Sequence, residues 1–206
     1  MRKRMRVTPV KHGFNLAPSD GKRSTGLHMS TIYNDLYQDL EPKRFIRGSE
    51  PAPALLAVGL ALEQYTERML LAEGISAHRP TEFYTPDEYE IAFSPDLLIY
   101  NGIVMGGEIK ATFMSSRDWP DVEEGDAACL PAKADKYVTQ TKAYGHNLEI
   151  SVWMLYVWFL KGKWEKHVSD EVVLADFRAF RLEYTAREMQ EEYQMLIHHA
   201  KHKGML

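Results

Sequence analysis

The stretch FSPDLLIYNGIVMGGEIKAT, from Phe93 to Thr112, decides the fold of this chain. It is mostly apolar, as a buried hairpin would be, yet it carries Asp96, Glu108 and Lys110. Unpaired charge is expensive in a segment that is buried. The three ionisable groups therefore predict a chemical role for this stretch in addition to a structural one.

The stretch has the pattern of a two-stranded hairpin. Asn101-Gly102 is a strong turn signal, because both residues tolerate positive φ. Side chains along a strand alternate between the two faces of a sheet. The odd positions are apolar, at Leu97, Ile99, Ile103, Met105 and Ile109, whereas the charges of Asp96, Glu108 and Lys110 fall on even positions.

The register of this hairpin decides whether the charges meet. A two-residue turn at Asn101-Gly102 would pair odd positions with even ones and place Asp96 and Glu108 on opposite faces. One extra residue corrects this, either as a three-residue loop or as a bulge at Gly106-Gly107. We therefore predict one of these two irregularities.

With that register, two carboxylates on neighbouring strands lie close enough to need a cation between them. Hard oxygen ligands favour Mg²⁺ or Mn²⁺, which take a substrate phosphate as a further ligand. Lys110 points the same way as Glu108, and it would orient or help deprotonate an attacking water. The alternative is an exposed ion pair between Glu108 and Lys110, since Glu-x-Lys is common on surface strands.

Composition sets the broad class of protein. The chain has 206 residues, 45% hydrophobic and 26% charged, with a net charge of -4. We expect a soluble, cytoplasmic protein without a membrane span, because no apolar run could cross a bilayer and the only cysteine, Cys129, cannot form an internal disulfide. We predict a basic, flexible arm over residues 1–25, acting as a solubilising tail or a DNA contact, and a single domain over residues 26–206.

Helix signals recur along the chain. Ser30 is a candidate N-cap for a helix over residues 31–40, and a second helix is predicted over residues 54–73. A third should follow Pro131 and stop at Gly145. Thr185 to Glu188 is a capping box that opens the last helix.

Strand signals lie between these helices. Short β-prone runs fill residues 75–112, and the nearly continuous apolar run over residues 148–160 predicts a central strand covered on both faces. An alternating strand follows over residues 176–184. The order predicts an α/β (α+β) fold with a central mixed β-sheet flanked by helices.

Four motifs together resemble the PD-(D/E)XK nuclease superfamily in its RecB-like and phage exonuclease branch. They are Pro95-Asp96, Glu108-Ile109-Lys110, the helix motif GLALE over Gly59 to Glu63, and QTKAY over Gln140 to Tyr144. The resemblance implies a restriction-endonuclease-like core. Because the cluster-binding cysteines and helicase motifs of some relatives are missing, it implies a stand-alone nuclease.

The resemblance also implies roles for individual residues. Asp96 and Glu108 would bind Mg²⁺ or Mn²⁺, joined by Glu63 and the Ile109 carbonyl. Lys110 would serve the attacking water, and Gln140 and Tyr144 would hold the DNA strand or the water. The implied activity is a metal-dependent exonuclease acting on DNA ends, including double-stranded ends, in recombination, repair or phage replication. A homo-oligomer and a single-strand annealing partner stay open.

Two other functions remain as alternatives. One is a restriction-type or junction-resolving endonuclease of the same superfamily. The other is a catalytically silent nucleic-acid-binding module that contacts phosphates through Lys11, Lys22, Arg23 and the tail HHAKHK. For His198, His199 and His202 we favour a solvated helix end over a metal site.

Overall fold

The computed structural model of the chain describes residues 24–43, 53–112, 116–119, 130–160 and 176–206. The arm predicted over residues 1–25 lies almost wholly outside these ranges, as does Cys129. Among the described residues, none of the helices combines the length and the hydrophobicity that a membrane span requires. The division into an arm and a single domain over residues 26–206 stays a prediction.

The described part of the chain forms four α-helices and seven β-strands. The helices are α1 (Met29–Leu40), α2 (Pro53–Ala72), α3 (Asp135–Leu148) and α4 (Ala186–His202). The strands are β1 (Ser76–His78), β2 (Phe83–Tyr84), β3 (Ala92–Phe93), β4 (Leu97–Asn101), β5 (Ile103–Thr112), β6 (Val152–Phe159) and β7 (Asp176–Glu183). Short 3₁₀ helices lie at Ser116–Asp118 and Ala132–Ala134.

Five strands form one mixed sheet in the order β1-β4-β5-β6-β7, and β2 pairs with β3 separately. Strands β5 and β6 are parallel, whereas the other neighbours in the large sheet are antiparallel. The predicted mixed sheet flanked by helices is confirmed. The predicted central strand is β6, although it is shorter than the apolar run because Leu148 belongs to α3.

The helices cover the sheet unequally. Helices α1, α3 and α4 pack over one face, where their apolar side chains join Trp153, Leu155 and Val157 of β6 in one core. Helix α2 packs on the other face, where Leu70 contributes to a second, smaller core. Strands β4 to β6 therefore lie between two helical layers, and the β4–β5 hairpin is covered on both faces except near its tip, where Tyr100, Ile103 and Val104 are exposed.

Two predicted helix ends are wrong. Helix α1 begins before Ser30, and its N-cap is His28, whose side chain makes no capping hydrogen bond. Helix α3 passes through Gly145 and ends at Leu148. A Cβ at Gly145 would lie 2.6 Å from the Ile150 carbonyl oxygen, so glycine here allows close helix–strand packing.

The capping box at the start of α4 is confirmed. The Thr185 Oγ1 accepts a hydrogen bond from the Glu188 backbone N–H at 3.2 Å. In return, the Glu188 Oε2 accepts one from the Thr185 backbone N–H at 2.8 Å. The backbone N–H groups of Thr185 and Glu188 each find a hydrogen-bond partner within the first turn. Because these contacts lie within four residues, the start of this helix was predictable from the sequence alone.

Candidate active site

The β4–β5 hairpin has the register in which odd positions pair with odd and even with even. Its pairs run without interruption from Leu97 opposite Gly107 to Asn101 opposite Ile103. Gly102, at the tip, has φ of 74°, which glycine adopts without strain. The predicted extra residue is confirmed in its three-residue loop form, and there is no bulge at Gly106-Gly107.

This register separates the side chains of the hairpin by face. Leu97, Ile99 and Ile109 lie in the smaller core with α2. Glu108 lies on the opposite face and is fully buried, with 0% of its surface exposed. The alternative of an exposed Glu108–Lys110 ion pair is therefore wrong, since α1 and α3 cover this face.

Four of the predicted site residues meet on the covered face. The Asp96 Oδ2 accepts a hydrogen bond from the Ile109 backbone N–H at 2.7 Å and lies 3.9 Å from the Lys110 Nζ. The Lys110 Nζ contacts the Glu108 Oε1 directly. The Gln140 Nε2, from α3, donates to the same oxygen at 2.6 Å. Two acids, one ammonium and one amide thus form a continuous polar cluster.

Two buried oxygens in this cluster lack a partner among the described residues. They are the Glu108 Oε2 and the Gln140 Oε1. A buried carboxylate oxygen without a donor or cation is destabilising by about 1–3 kcal/mol or more. Oxygen donors of this kind are the ligands that Mg²⁺ and Mn²⁺ prefer. The donor set at Glu108 and Asp96 therefore fits a hard divalent cation.

The charges of the cluster shift one another's protonation. Burial, and then the negative charge of Asp96, raise the pKa of Glu108 from its ordinary 4.5 to about 8, against the opposing effect of Lys110. Burial alone would lower the pKa of Lys110, but the charges of Glu108 and Asp96 outweigh it and raise the pKa above its ordinary value. Lys110 is therefore a stable ammonium, and Glu108 stays ionised at neutral pH only when more positive charge is nearby.

Tyr144 lies beneath the cluster. It is only 3% exposed and packs against Phe93, with ring centroids 5.2 Å apart. Burial, followed by the charges of Tyr33 and Glu108, raises the pKa of Tyr144 well above its ordinary value. Tyr144 is therefore a neutral hydroxyl, one helical turn beyond Gln140.

Glu63 and Ile109 relate to the cluster in different ways. The Glu63 Oε2 accepts a hydrogen bond from Arg79 at 2.5 Å. Within the described residues, Glu63, Asp96 and Glu108 do not form a group whose ligand oxygens all lie within 4.8 Å of one another. Ile109 enters the cluster through its backbone N–H, while its side chain lies in the apolar core on the other face.

Sequence reasoning missed several side chains that surround the cluster. The Tyr137 ring of α3 lies under the Lys110 Nζ, 5.5 Å from its centroid, and the Lys136 Nζ lies 5.8 Å from the same centroid. Lys136 also donates to the Asn34 Oδ1 of α1 at 3.3 Å. Tyr137 and Lys136 stand three and four residues before Gln140, so helical spacing was a usable signal for them. No local pattern points to Asn34.

The C-terminal histidines differ from the sequence interpretation at one position. The His199 Nε2 lies 2.9 Å from the Asp35 Oδ2, and its side chain is only 10% exposed, so it is not solvated. Asp35, Asp39 and His199 place one ligand atom each within 4.8 Å of one another. The Lys203 Nζ already lies 2.5 Å from the Asp39 Oδ2 and 3.7 Å from the Asp35 Oδ2. A cation in this group would have to displace that ammonium.

Comparison with known proteins finds similarity in structure alone. No protein-family model and no curated protein matches the chain. The chain resembles LHK-Exo, an alkaline exonuclease from Laribacter hongkongensis, with a TM-score of 0.52 and 13% identity, covering 86% of this chain and 89% of that one. The complex of LHK-Exo with dAMP matches at the same TM-score and coverage with 14% identity. A phage-related exonuclease from Haemophilus somnus has a TM-score of 0.49 and 12% identity, covering 84% of this chain and 78% of that one.

Proposed function

We propose that this chain is a divalent-metal-dependent nuclease that hydrolyses phosphodiester bonds in DNA, working as an exonuclease from DNA ends. The observation that carries the proposal is the fully buried Glu108, whose Oε2 lacks a partner among the described residues, beside Asp96 and Lys110. A fold needs no such group for stability, because buried charge is costly. The likeness of the fold to an alkaline exonuclease supports the same reading.

The proposed metal ligands are Asp96 and Glu108, with the Ile109 carbonyl and Glu63 as further candidates. Bound Mg²⁺ or Mn²⁺ would supply Lewis-acid activation of water and would stabilise charge on the phosphate. The Asp96 carboxylate is already oriented by the Ile109 N–H. Glu63 belongs to α2, which packs on the other face of the sheet, and its carboxylate accepts a hydrogen bond from Arg79 at 2.5 Å, so both its pairing and its position would have to change for it to join.

Lys110 suits the role of an electrostatic partner for water and phosphate. Because the two carboxylates raise the pKa of Lys110, it keeps its proton at neutral pH and donates hydrogen bonds instead of removing a proton. Its ammonium also lies over the Tyr137 ring, which limits the directions it can take. We propose that Lys110 orients the attacking water and offsets charge that develops on the phosphate.

Gln140 and Tyr144 would hold these groups in place. The Gln140 Nε2 donates to Glu108, and the Gln140 Oε1 is buried without a partner among the described residues. That oxygen would accept a hydrogen bond from the attacking water or from a substrate hydroxyl. Tyr144, buried and neutral, would keep the helix face that carries Gln140 against the sheet.

The test is cleavage of end-labelled linear DNA and closed circular DNA, with Mg²⁺, Mn²⁺ or EDTA. We expect metal-dependent loss of the linear substrate, survival of the circle, and loss of cleavage in Asp96→Asn and Lys110→Met. Glu191→Gln, on the exposed side of α4, is the matched control and should behave as the wild type. Equal cleavage by the wild type and both site variants would contradict the proposal.

The same experiment separates the alternatives. Cutting of closed circles would indicate a restriction-type or junction-resolving endonuclease. Salt-sensitive DNA binding without cleavage under any metal condition would indicate a binding module. Recombination, repair and phage replication are the settings in which an end-dependent activity would serve, and an oligomer or an annealing partner would be a further part of this proposal.

A further inference from the structure

Two kinds of partner hold the Lys110 ammonium. The first kind is carboxylate: the Nζ contacts the Glu108 Oε1 directly and lies 3.9 Å from the Asp96 Oδ2. The second is aromatic: the Nζ lies over the ring of Tyr137, 5.5 Å from its centroid. The Lys110 side chain is only 22% exposed, and an ammonium over a ring face is attracted more strongly where water is partly excluded. The ring is therefore a substantial partner for this lysine.

Tyr137 lies near the start of α3 and is a neutral phenol. Its side chain is partly buried and packs against the larger core. Burial raises the pKa of Tyr137, Lys110 opposes that shift, and Glu108 adds to it, with a net rise above the ordinary 10.0. The hydroxyl therefore keeps its proton at neutral pH, and Tyr137 attracts the ammonium through the negative face of its ring and not through a phenolate charge.

The two kinds of partner differ in what else they bind. Carboxylate oxygens are ligands of hard divalent cations, and Asp96 and Glu108 are the proposed ligands here. A carboxylate whose charge is offset by a cation attracts an ammonium less. An aromatic ring is no ligand for a hard cation, so its attraction for the ammonium does not depend on what the carboxylates hold.

We propose that Tyr137 is a positioning residue, whose ring face keeps the Lys110 ammonium beside the cluster independently of what Glu108 binds. This inference rests on the proposed nuclease function. Without the ring the ammonium would keep its charge but would take more directions, and a misplaced group slows a chemical step. Loss of the ring should therefore lower kcat and leave DNA binding nearly unchanged, since Tyr137 acts through Lys110.

The first readout is the NMR spectrum of the metal-free protein in EDTA, with lysine isotopically labelled at Cε. A ring current moves the signals of protons above a ring face upfield, so the Cε protons of Lys110 should be displaced in the wild type. Lys110→Met identifies the signal by its loss. Tyr137→Phe should keep the displacement, whereas Tyr137→Leu should abolish it. A Lys110 signal at the same position in the wild type and in Tyr137→Leu would overturn the proposal.

The second readout is steady-state cleavage of linear DNA with Mg²⁺. Tyr137→Leu should lower kcat about tenfold, as the loss of a partly desolvated cation–π contact does, with KM nearly unchanged. Tyr137→Phe keeps the ring and should stay within about twofold of the wild type. The matched control is Tyr89→Leu, because the Tyr89 ring is also partly buried and lies 4.8 Å from the Lys201 Nζ; it should change neither kcat nor the Lys110 signal. A Tyr137→Leu variant with raised KM and unchanged kcat would contradict a positioning role.

Fluorination keeps the shape of the ring nearly constant and weakens its negative face. Tyr137→Phe made with singly and then triply fluorinated phenylalanine should therefore lower kcat stepwise. A purely structural role predicts equal kcat along this series, and that result would overturn the proposal even if Tyr137→Leu does not fold. A wild type that cleaves no DNA would count against the nuclease function, while the Lys110 signal in EDTA would still decide whether the ring holds the ammonium.

Discussion

The two faces of the β4–β5 hairpin share one backbone and have opposite contents. On one face, Leu97 and Ile99 are almost completely buried in an apolar core with α2. On the other, Glu108 is equally buried but sits among charges and contacts Lys110 and Gln140. Leu97, Ile99 and Glu108 are therefore equally buried, and the chemistry of their surroundings differs.

The two faces of this hairpin therefore contribute differently to the free energy of folding. Apolar side chains stabilise the fold by about 1.5–3 kcal/mol each when buried. Buried ionised groups cost several kcal/mol each and are repaid only in part by pairing. We infer that the apolar face holds the hairpin in register, and that the charged face is kept for what it binds. Substitutions on the two faces should thus change different measurements.

The largest effect is expected from Glu108→Gln on the charged face. Cleavage should fall about a thousandfold or more, because a ligand of the proposed metal is lost. The free energy of unfolding in the absence of metal should not fall, since the amide is close in shape and carries no buried charge. Cleavage rates and urea unfolding of the same preparation measure both, with Glu191→Gln as control. A variant that keeps cleavage would show that the charged face is structural.

On the apolar face, the sharpest change is Ile99→Ala. Ile99 is 1% exposed, so the cavity should lower the free energy of unfolding by about 2–5 kcal/mol. Cleavage per folded molecule, measured well below the unfolding transition, should change little. Val104→Ala is the control on the same hairpin, because Val104 is 46% exposed. A large loss of cleavage in folded Ile99→Ala would mean that the two faces are not separable.

The stability of the metal-free protein should also vary with pH, because Glu108 changes its protonation. The pKa of Glu108 is raised from 4.5 to about 8 in the folded protein, so between these values the folded state binds more protons than the unfolded state. The stability of the metal-free wild type should therefore decline, relative to Glu108→Gln, as the pH rises from about 4.5 to about 8. Lys110 does not alter this window, because a raised lysine pKa contributes fully at every pH below its unfolded value. Urea unfolding at several pH values measures the difference, and a constant difference would contradict the assignment.

The smallest effect is expected far from the hairpin, at the start of α4. Thr185→Ala removes a capping hydrogen bond and should lower the free energy of unfolding by about 1 kcal/mol. Thr185→Ser keeps the hydroxyl and should stay close to the wild type. Neither variant should alter cleavage, as thermal unfolding and rate measurements on both can establish. A change in cleavage would mean that α4 takes part in the site.

Features set by neighbouring residues were predictable from sequence. The alternation of the hairpin placed Asp96, Glu108 and Lys110 on one side, and the required register followed from that pattern alone. The capping box at Thr185 likewise depends on contacts within one helical turn.

Features set by packing between distant segments were not predictable. Asn34 and Lys136 meet across more than a hundred residues of chain, and no periodicity encodes that contact. The sequence predicts a helix end at Gly145 because glycine often follows the last helical residue, whereas here Gly145 lies inside α3 and makes room for the Ile150 carbonyl. The covering of the charged face also depends on where α3 packs. The sequence therefore indicated the residues at the centre of the candidate site but not the residues of α1 and α3 that surround them.

An anomalous difference map from crystals of the wild-type protein grown with Mn²⁺ would show whether Asp96 and Glu108 bind a metal ion. We predict a peak within coordination distance of the Asp96 and Glu108 carboxylates, and its loss in Glu108→Gln crystals. A map with no peak there, or with a peak only at Asp35, Asp39 and His199, would contradict metal binding by Asp96 and Glu108.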